Sequence, residues 1–412
     1  MSAVTIQQEP TSPNGTMTDM IYVLSTTGSS APQYSFICQI WDEGSSNLLT
    51  TLKQSPNNDG KAVFEVGRLL NNYIDYEIPF YINDGTPIVN SPNNNIREFD
   101  IKFGDESAPS ISGSLTASID KSTTKLVIPA VKERISEGFN WNSGSYDILS
   151  NSPSILDDSV SNLRANTENF TIVSPSSFST ISSLNGEGPK GDLDTIRYVF
   201  YGESMNTITT ANFSNPYGTT NTEDKLVHIG TGPANIAALE PSVNNSAVSY
   251  YGVYLDYASG NSDQYMYKID RCSPTPTTFA WINKLGVFDY YTATGTQRHL
   301  ESMNRNVYNA PYINYSISGN SLDWSAQRRG ETQYYAKFNE RFEAETTWLT
   351  SGMSEWLFEL FESPSAFVQI GDLFYGIILE NVDETYRTNL RGQKTFKYTI
   401  KYRLSNPKRS RY

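Results

Sequence analysis

Apolar and polar positions alternate in short runs along this chain, the period of a strand with one buried face. Met20–Leu24, Tyr34–Asp42, Leu48–Lys53 and Lys61–Glu65 all read this way. Between the last two, Asn57-Asn58-Asp59-Gly60 gathers the residue types that tolerate positive φ, so a turn is expected. Val66, Leu69, Leu70 and Tyr73 then change to helical spacing and predict one short helix. Tyr76–Tyr81 and Ile96–Phe103 resume the strand period across the turn-rich Asn90–Asn95. Residues 20–104 therefore predict an N-terminal β-sandwich with a single short helix. The polar leader before it, residues 1–19, contains Pro10 and Pro13 and reads as an extended arm.

Residues 105–194 are rich in Ser and Asn and read as an intermediate region, partly loop or arm, with one clear strand at Lys125–Val131. Ser2–Asp19 and Asp157–Asn185 are the segments expected to reach neighbours. A second β-domain is expected over 195–412, with strands at Arg197–Tyr201, Leu226–Ile229, Tyr250–Leu255, Tyr265–Ile269, Thr278–Asn283 and Phe288–Thr292. Near its end, Met353, Trp356, Leu357, Leu360 and Phe361 form an apolar stripe at helical spacing between Thr350 and Pro364. Gly371-Asp372 marks a hairpin, and Phe396–Leu404 alternates apolar residues with Lys397, Lys401 and Arg403. The fold class predicted is mainly β, two or more sandwich-like domains with a few short helices.

Composition narrows the function more than the fold. Forty-four acids against 31 Lys and Arg give a net charge of −13, which argues against a general grip on nucleic acid. No apolar run approaches the length of a membrane span, and the N-terminus lacks a signal-peptide pattern. Cys38 and Cys272 are too far apart in sequence to suggest a disulfide framework or a zinc cluster.

Candidate chemistry is sparse. Val227-His228-Ile229-Gly230-Thr231-Gly232-Pro233-Ala234-Asn235 mimics a strand–glycine loop–helix dinucleotide fingerprint. Asn235 replaces the third glycine and Pro241 ends the following helix, so the expectation is a strand, a turn, and Pro233 opening a short helix. The two histidines, His228 and His299, have no neighbouring Cys or second His in sequence. Asp192 with Asp194, and Asp157 with Asp158, offer oxygen ligands but lack the spacing of a dedicated calcium loop. Catalytic, cofactor and metal residues are therefore all read as none. Trp281–Thr292 predicts an aromatic hairpin turning at Asn283–Gly286, with Trp281, Phe288 and Tyr290 in the core and Asn283 and Asp289 bonding the turn backbone. A sugar-binding platform is the alternative use of those rings.

Three segments carry a family resemblance: Asn58–Tyr73, the Trp281–Thr292 hairpin, and Leu357–Pro364 with the strands that follow. They resemble tail-region virion proteins of phages that infect Bacteroidetes and marine bacteria, including crAss-like phages. The resemblance implies a non-enzymatic structural subunit of a tail ring, collar or baseplate, assembled in the host cytoplasm and resident in the virion tail. Its partners would be copies of itself in a cyclic ring and neighbouring tail, portal or baseplate proteins. A receptor-binding adhesin is the first alternative. A glycan-cleaving tail enzyme, which would need paired carboxylates in a cleft, is the second.

Overall fold

The computed structural model describes residues 4–17, 19–27, 31–75, 77–79, 87–91, 95–129, 145–146, 170–187, 190–309, 313–324, 330–380 and 396–406. Strand accounts for 52% of the structure and helix for 10%, so the fold is mainly β, and its residues gather around separate cores.

The first unit is a sandwich. One sheet orders β10 (Ser145–Tyr146), β1 (Thr5–Pro10), β3 (Ile21–Ser25) and β6 (Lys61–Glu65). The other orders β2 (Asn14–Gly15), β9 (Thr116–Ile128), β8 (Arg97–Ser107), β4 (Ser35–Asp42) and β5 (Leu48–Gln54). Tyr22 and Phe103 meet between the sheets with ring centroids 4.9 Å apart. The expected turn at Asn57–Gly60 forms, with Asn57 Oδ1 accepting the amides of Asp59 (3.0 Å) and Lys61 (2.8 Å). It does not close a hairpin: β5 and β6 lie in different sheets, so the turn carries the chain from one layer to the other. The short helix appears as α1 (Gly67–Leu70) followed by one tighter turn over Asn71–Tyr73.

Two boundaries differ from the sequence reading. The leader is an integral strand and not a free arm: β1 pairs with β3, and Val4 is fully buried in the core. The sandwich also runs past residue 104, because β9 pairs along the whole of β8, from Arg97↔Val127 to Ser107↔Thr116. Of the strand expected over Tyr76–Tyr81, only 77–79 are described, and they are irregular. Asp157-Asp158 and the basic tail at 408–411 lie outside the described residues.

The second unit packs a large sheet on a small one. The large sheet orders β11 (Thr171–Val173), β18 (Tyr265–Ile269), β16 (Tyr250–Tyr257), β13 (Leu193–Tyr201) and β14 (Thr207–Ser214), with β17 (Gly260–Asn261) beside β16. The small sheet orders β12 (Thr180–Leu184), β15 (Leu226–Gly230) and β7 (Ile88–Asn90). Residues 170–185, expected in an arm, thus supply β11 and β12. The fragment β7 ties the N-terminal part of the chain to this unit.

What was expected as one domain over 195–412 divides here, since β19 onward builds its own sheet and core. That sheet orders β20 (Phe288–Ala293), β19 (Thr277–Ile282), β25 (Ala366–Ile370), β26 (Leu373–Leu379), β27 (Thr399–Leu404), β24 (Glu331–Glu345) and β21 (Gln297–Asn309). Helix α3 (Ser351–Glu362) follows α2 (Pro233–Ile236) in chain order and covers the apolar face of this sheet. Thr350 Oγ1 caps α3 by accepting the Met353 amide at 3.4 Å. Phe396, Tyr398, Ile400 and Tyr402 are buried, whereas Lys397 and Lys401 are exposed, as the alternation predicts. Lys397→Ala and Lys401→Ala are accordingly expected to change unfolding free energy by no more than about 0.5 kcal/mol in urea titration.

Candidate functional site

The glycine-rich segment is the first place to look for chemistry, and its backbone donors are already committed. Gly230 N donates to Pro87 O (2.8 Å), Thr231 N and Gly232 N to Ser179 O (2.8 and 3.0 Å), and Ala234 N to Ser177 O (3.2 Å). A pyrophosphate cradle needs such amides free at a helix N-terminus after a parallel strand. Here β15 is antiparallel to both neighbours, and α2 is a single turn opened by Pro233. Asn235, in the third-glycine position, turns inward and accepts the Ser179 amide at 2.9 Å. Gly232 is required for packing: a Cβ there would overlap Ser177 O and approach Ser179 N to 2.6 Å. Gly232→Ala should therefore cost about 1–3 kcal/mol by overpacking, read as a lowered urea midpoint.

Around this turn lies a seam of hydroxyl groups between the second and third units. Ser177 Oγ lies 3.1 Å from Thr278 Oγ1 and 3.3 Å from Thr292 Oγ1. Ser179 and Thr231 pair at 3.0 Å, and Thr180 donates to the Tyr290 hydroxyl at 3.2 Å. Two cavities in the seam, lined among others by Ser179, Thr180 and Tyr290, have volumes of about 10 Å³ each. A space of that size holds about one water molecule and no substrate. The seam is therefore a polar glue, its hydroxyls satisfied by one another.

His228 sits at the edge of the same network. Its Nδ1 is 2.8 Å from Ser182 Oγ, while Nε2 has no hydrogen-bond partner among the described residues. Burial drives its pKa down from the ordinary histidine range to about 3, so the ring is neutral at physiological pH.

The aromatic hairpin forms as the sequence predicts. Asn283 Oδ1 accepts the amides of Leu285 (3.0 Å) and Val287 (3.2 Å), and Gly286 closes the turn at φ +82°. Trp281, Phe288 and Tyr290 are all buried, so their faces are spent on packing. Asp289 has a different role from the one expected. Its carboxylate accepts Asn283 Nδ2 at 3.0 Å and the indole N–H of Trp356 at 2.6 Å, joining the hairpin to α3.

The remaining candidates are scattered. Asp192 and Asp194 are exposed on either side of the buried Leu193 and gather no third acid among the described residues. Cys38 is buried, which pushes its thiol up to about 12, and Cys272 is exposed. The one grouping with metal-ligand spacing among the described residues is His299, Glu301 and Glu340, whose ligand atoms lie within 4.8 Å of one another. Glu301 and Glu340 are directly opposed across β21 and β24, an unfavourable like-charge pair. His299 Nε2 lies 2.8 Å from Glu340 and 3.6 Å from Glu301, with its ring stacked on Phe342. The His299 ring thus bridges the two acids across the strand pair. Sequence inspection missed this trio because its members come together only through the pairing of β21 with β24.

That pairing is the most unusual surface feature. From Gln297↔Ala344 to Asn309↔Glu331 the two strands form a ribbon, and β27 accompanies β24 only over Phe342–Glu345. Consecutive residues of β21 from Arg298 to Asn309 are exposed, so both ribbon faces meet solvent. Leu300, Met303, Val307, Tyr308 and Tyr334 are among the exposed apolar side chains. Nothing in the sequence reading anticipated the ribbon, because it lacks the alternation that burial imposes. No helix among the described residues is long and apolar enough to cross a membrane. A scan against known protein families finds no model that matches this chain, and a search of curated proteins finds no significant match.

Proposed function

We propose that this chain is a non-enzymatic structural subunit of a bacteriophage virion, one copy in a homo-oligomeric ring, collar or baseplate layer of the tail. The observation that carries the reading is the β21–β24 ribbon. A two-stranded ribbon in water is marginal by itself, and this one exposes Leu300, Met303, Val307 and Tyr308 along roughly 30 Å of length at 3.4 Å per residue. A surface of that kind is suited to burial against another chain. The three rigid β cores supply the body that such an arm extends from. The resemblance of Asn58–Tyr73, Trp281–Thr292 and Leu357–Pro364 to phage tail-region proteins supplies the setting.

The alternatives gain less. An adhesin platform would need the aromatic faces of Trp281, Phe288 and Tyr290 in solvent, and they are buried. A glycan-cleaving enzyme would need paired carboxylates in a cleft, and neither seam cavity is lined by an acid. Cryo-electron microscopy of intact particles is the test. The expected image is a closed ring of this chain coaxial with the tail. Density for the chain at fibre tips, or within the capsid, would overturn the ring assignment.

A further inference from the structure

One face of the β21–β24 pair gathers an imidazole and two carboxylates. Residues two apart share a face of a strand, and directly opposed residues share a face of an antiparallel pair. His299↔Phe342 and Glu301↔Glu340 are opposed in this way, with no shift of register between them. Main-chain pairing therefore fixes the three polar groups side by side, and no loop is involved.

The imidazole is also held in orientation. Its ring stacks on Phe342 with centroids 4.6 Å apart and 4° between the planes. Phe342 stacks in turn on the buried Tyr402 at 5.3 Å, so the column is rooted in the core of the third unit. Nε2 then lies 2.8 Å from Glu340 and 3.6 Å from Glu301. The Glu340 side chain is 9% exposed and so is positioned by packing, whereas that of Glu301, at 53%, is free to adjust.

Tetrahedral zinc, with ligands at about 2.0–2.2 Å, sets its ligand atoms about 3.4 Å apart. The separations of 2.8 and 3.6 Å fall on either side of that value, and all three ligand atoms lie within 4.8 Å of one another. The donor types select the ion. Ca²⁺ and Mg²⁺ take oxygen ligands, whereas Zn²⁺ takes an imidazole nitrogen together with carboxylate oxygens. An all-carboxylate cluster would lack that preference. We infer that His299, Glu301 and Glu340 bind one Zn²⁺ through Nε2 and one oxygen of each carboxylate, with the fourth position left to water.

The place of the trio gives the ion a role. Strand β27 supports β24 only over Phe342–Glu345, and Glu340 is the next position on the same face beyond that support. An ion there would offset the opposition of Glu301 and Glu340 and tie the two strands together at the root of the ribbon. A ribbon of two strands is marginal in water, so a clip at its root would stiffen it. The site stands on strand register and donor chemistry, and does not rest on the virion reading.

Isothermal titration calorimetry of the full chain, free of any histidine tag and carrying Cys272→Ser, tests it. That substitution removes the exposed thiol, and Cys38 and His228 are buried, which leaves His299 as the accessible imidazole. The expected result is saturable binding of about one Zn²⁺ per chain, with Mg²⁺ and Ca²⁺ bound at least about tenfold more weakly. His299→Ala should abolish it. Glu301→Gln and Glu340→Gln should each raise Kd by about tenfold or more, since losing even an outer partner of a ligand commonly costs that much. Glu301→Gln keeps the shape of the side chain and relieves a like-charge pair, so its metal-free stability should not fall. Hydrogen exchange supplies a second readout: Zn²⁺ should slow exchange in β21 and β24 of the wild type and change neither in His299→Ala. No saturable Zn²⁺ binding, binding that survives His299→Ala or is unchanged by Glu301→Gln, or equal affinity for Ca²⁺ would each overturn the inference.

Discussion

Trp356→Ala is expected to destabilise the third unit by about 3–5 kcal/mol, the range for truncating a large buried aromatic. The side chain is buried, packs tilted against Trp281 with ring centroids 5.1 Å apart, and meets Tyr291 edge-on at 6.2 Å. It also donates its indole N–H to the buried Asp289 carboxylate. Two effects therefore combine, loss of packing and loss of a hydrogen bond to a charged group. Trp356→Phe separates them: it keeps most of the ring but withdraws the donor, and should cost about 1.5–3 kcal/mol. Urea titration followed by near-ultraviolet circular dichroism measures both. If each cost less than about 1 kcal/mol, α3 would not be tied to the Asn283–Gly286 hairpin as the geometry indicates.

The helix was legible in the sequence because burial on one face leaves a period, with Trp356, Leu357 and Leu360 on a stripe. The hairpin is buried on both faces, Trp281 on one side and Phe288 and Tyr290 on the other, and was legible through its aromatic runs and its turn residues. Asn283 announced the turn through its side chain. The link between them, Asp289 to Trp356, was not legible, since it spans sixty-seven residues and depends on how α3 lies on the sheet. Three kinds of element escaped for other reasons. Strand β12 reads Thr-Ile-Ser-Ser-Leu, and its buried hydroxyls resemble a loop until Ser183 is seen bonded to the Tyr257 hydroxyl at 2.7 Å. Strands β14 and β21 are largely exposed, so no apolar face marks them. Strand β1 has only Ile6 as an apolar residue before Pro10, and its anchor is Val4, one position outside the strand.

The same accounting applies to candidate chemistry. A fingerprint such as Gly230-Thr-Gly232 is a statement about backbone amides, and only the structure shows where those amides donate. Ser177, Ser179 and Pro87 take them, from segments that the sequence assigned to an arm or to the N-terminal domain. The acidic trio at His299 arises from strand register, which no spacing rule can reveal.

Acid is expected to weaken the fold through His228, the prediction with the second largest effect. The ring is buried, with one nitrogen against Ser182 and the other without a partner among the described residues. In the neutral ring, Nδ1–H can donate to Ser182 Oγ and leave only a bare lone pair at Nε2. Protonation would place a second N–H and a full charge in the same site, where neither is solvated. The folded pKa is therefore depressed to about 3, while an unfolded histidine titrates near 6.5. Below 6.5 the unfolded chain binds a proton that the folded chain excludes. The stabilisation is thus complete above about pH 6.5, is lost progressively as pH falls, and levels off near pH 3. At pH 4 the loss amounts to about 3 kcal/mol, from roughly 2.5 pH units at 1.36 kcal/mol each. His228→Gln removes the titration and retains a polar group for Ser182. Carboxylates contribute acid sensitivity to both proteins, so the difference between them isolates His228. Urea titrations at pH 7 and pH 4 should show the wild type losing about 3 kcal/mol more than the variant. Equal losses would mean that the ring gains a proton acceptor or water in the folded state, and that the second unit is open at the β12–β15 edge.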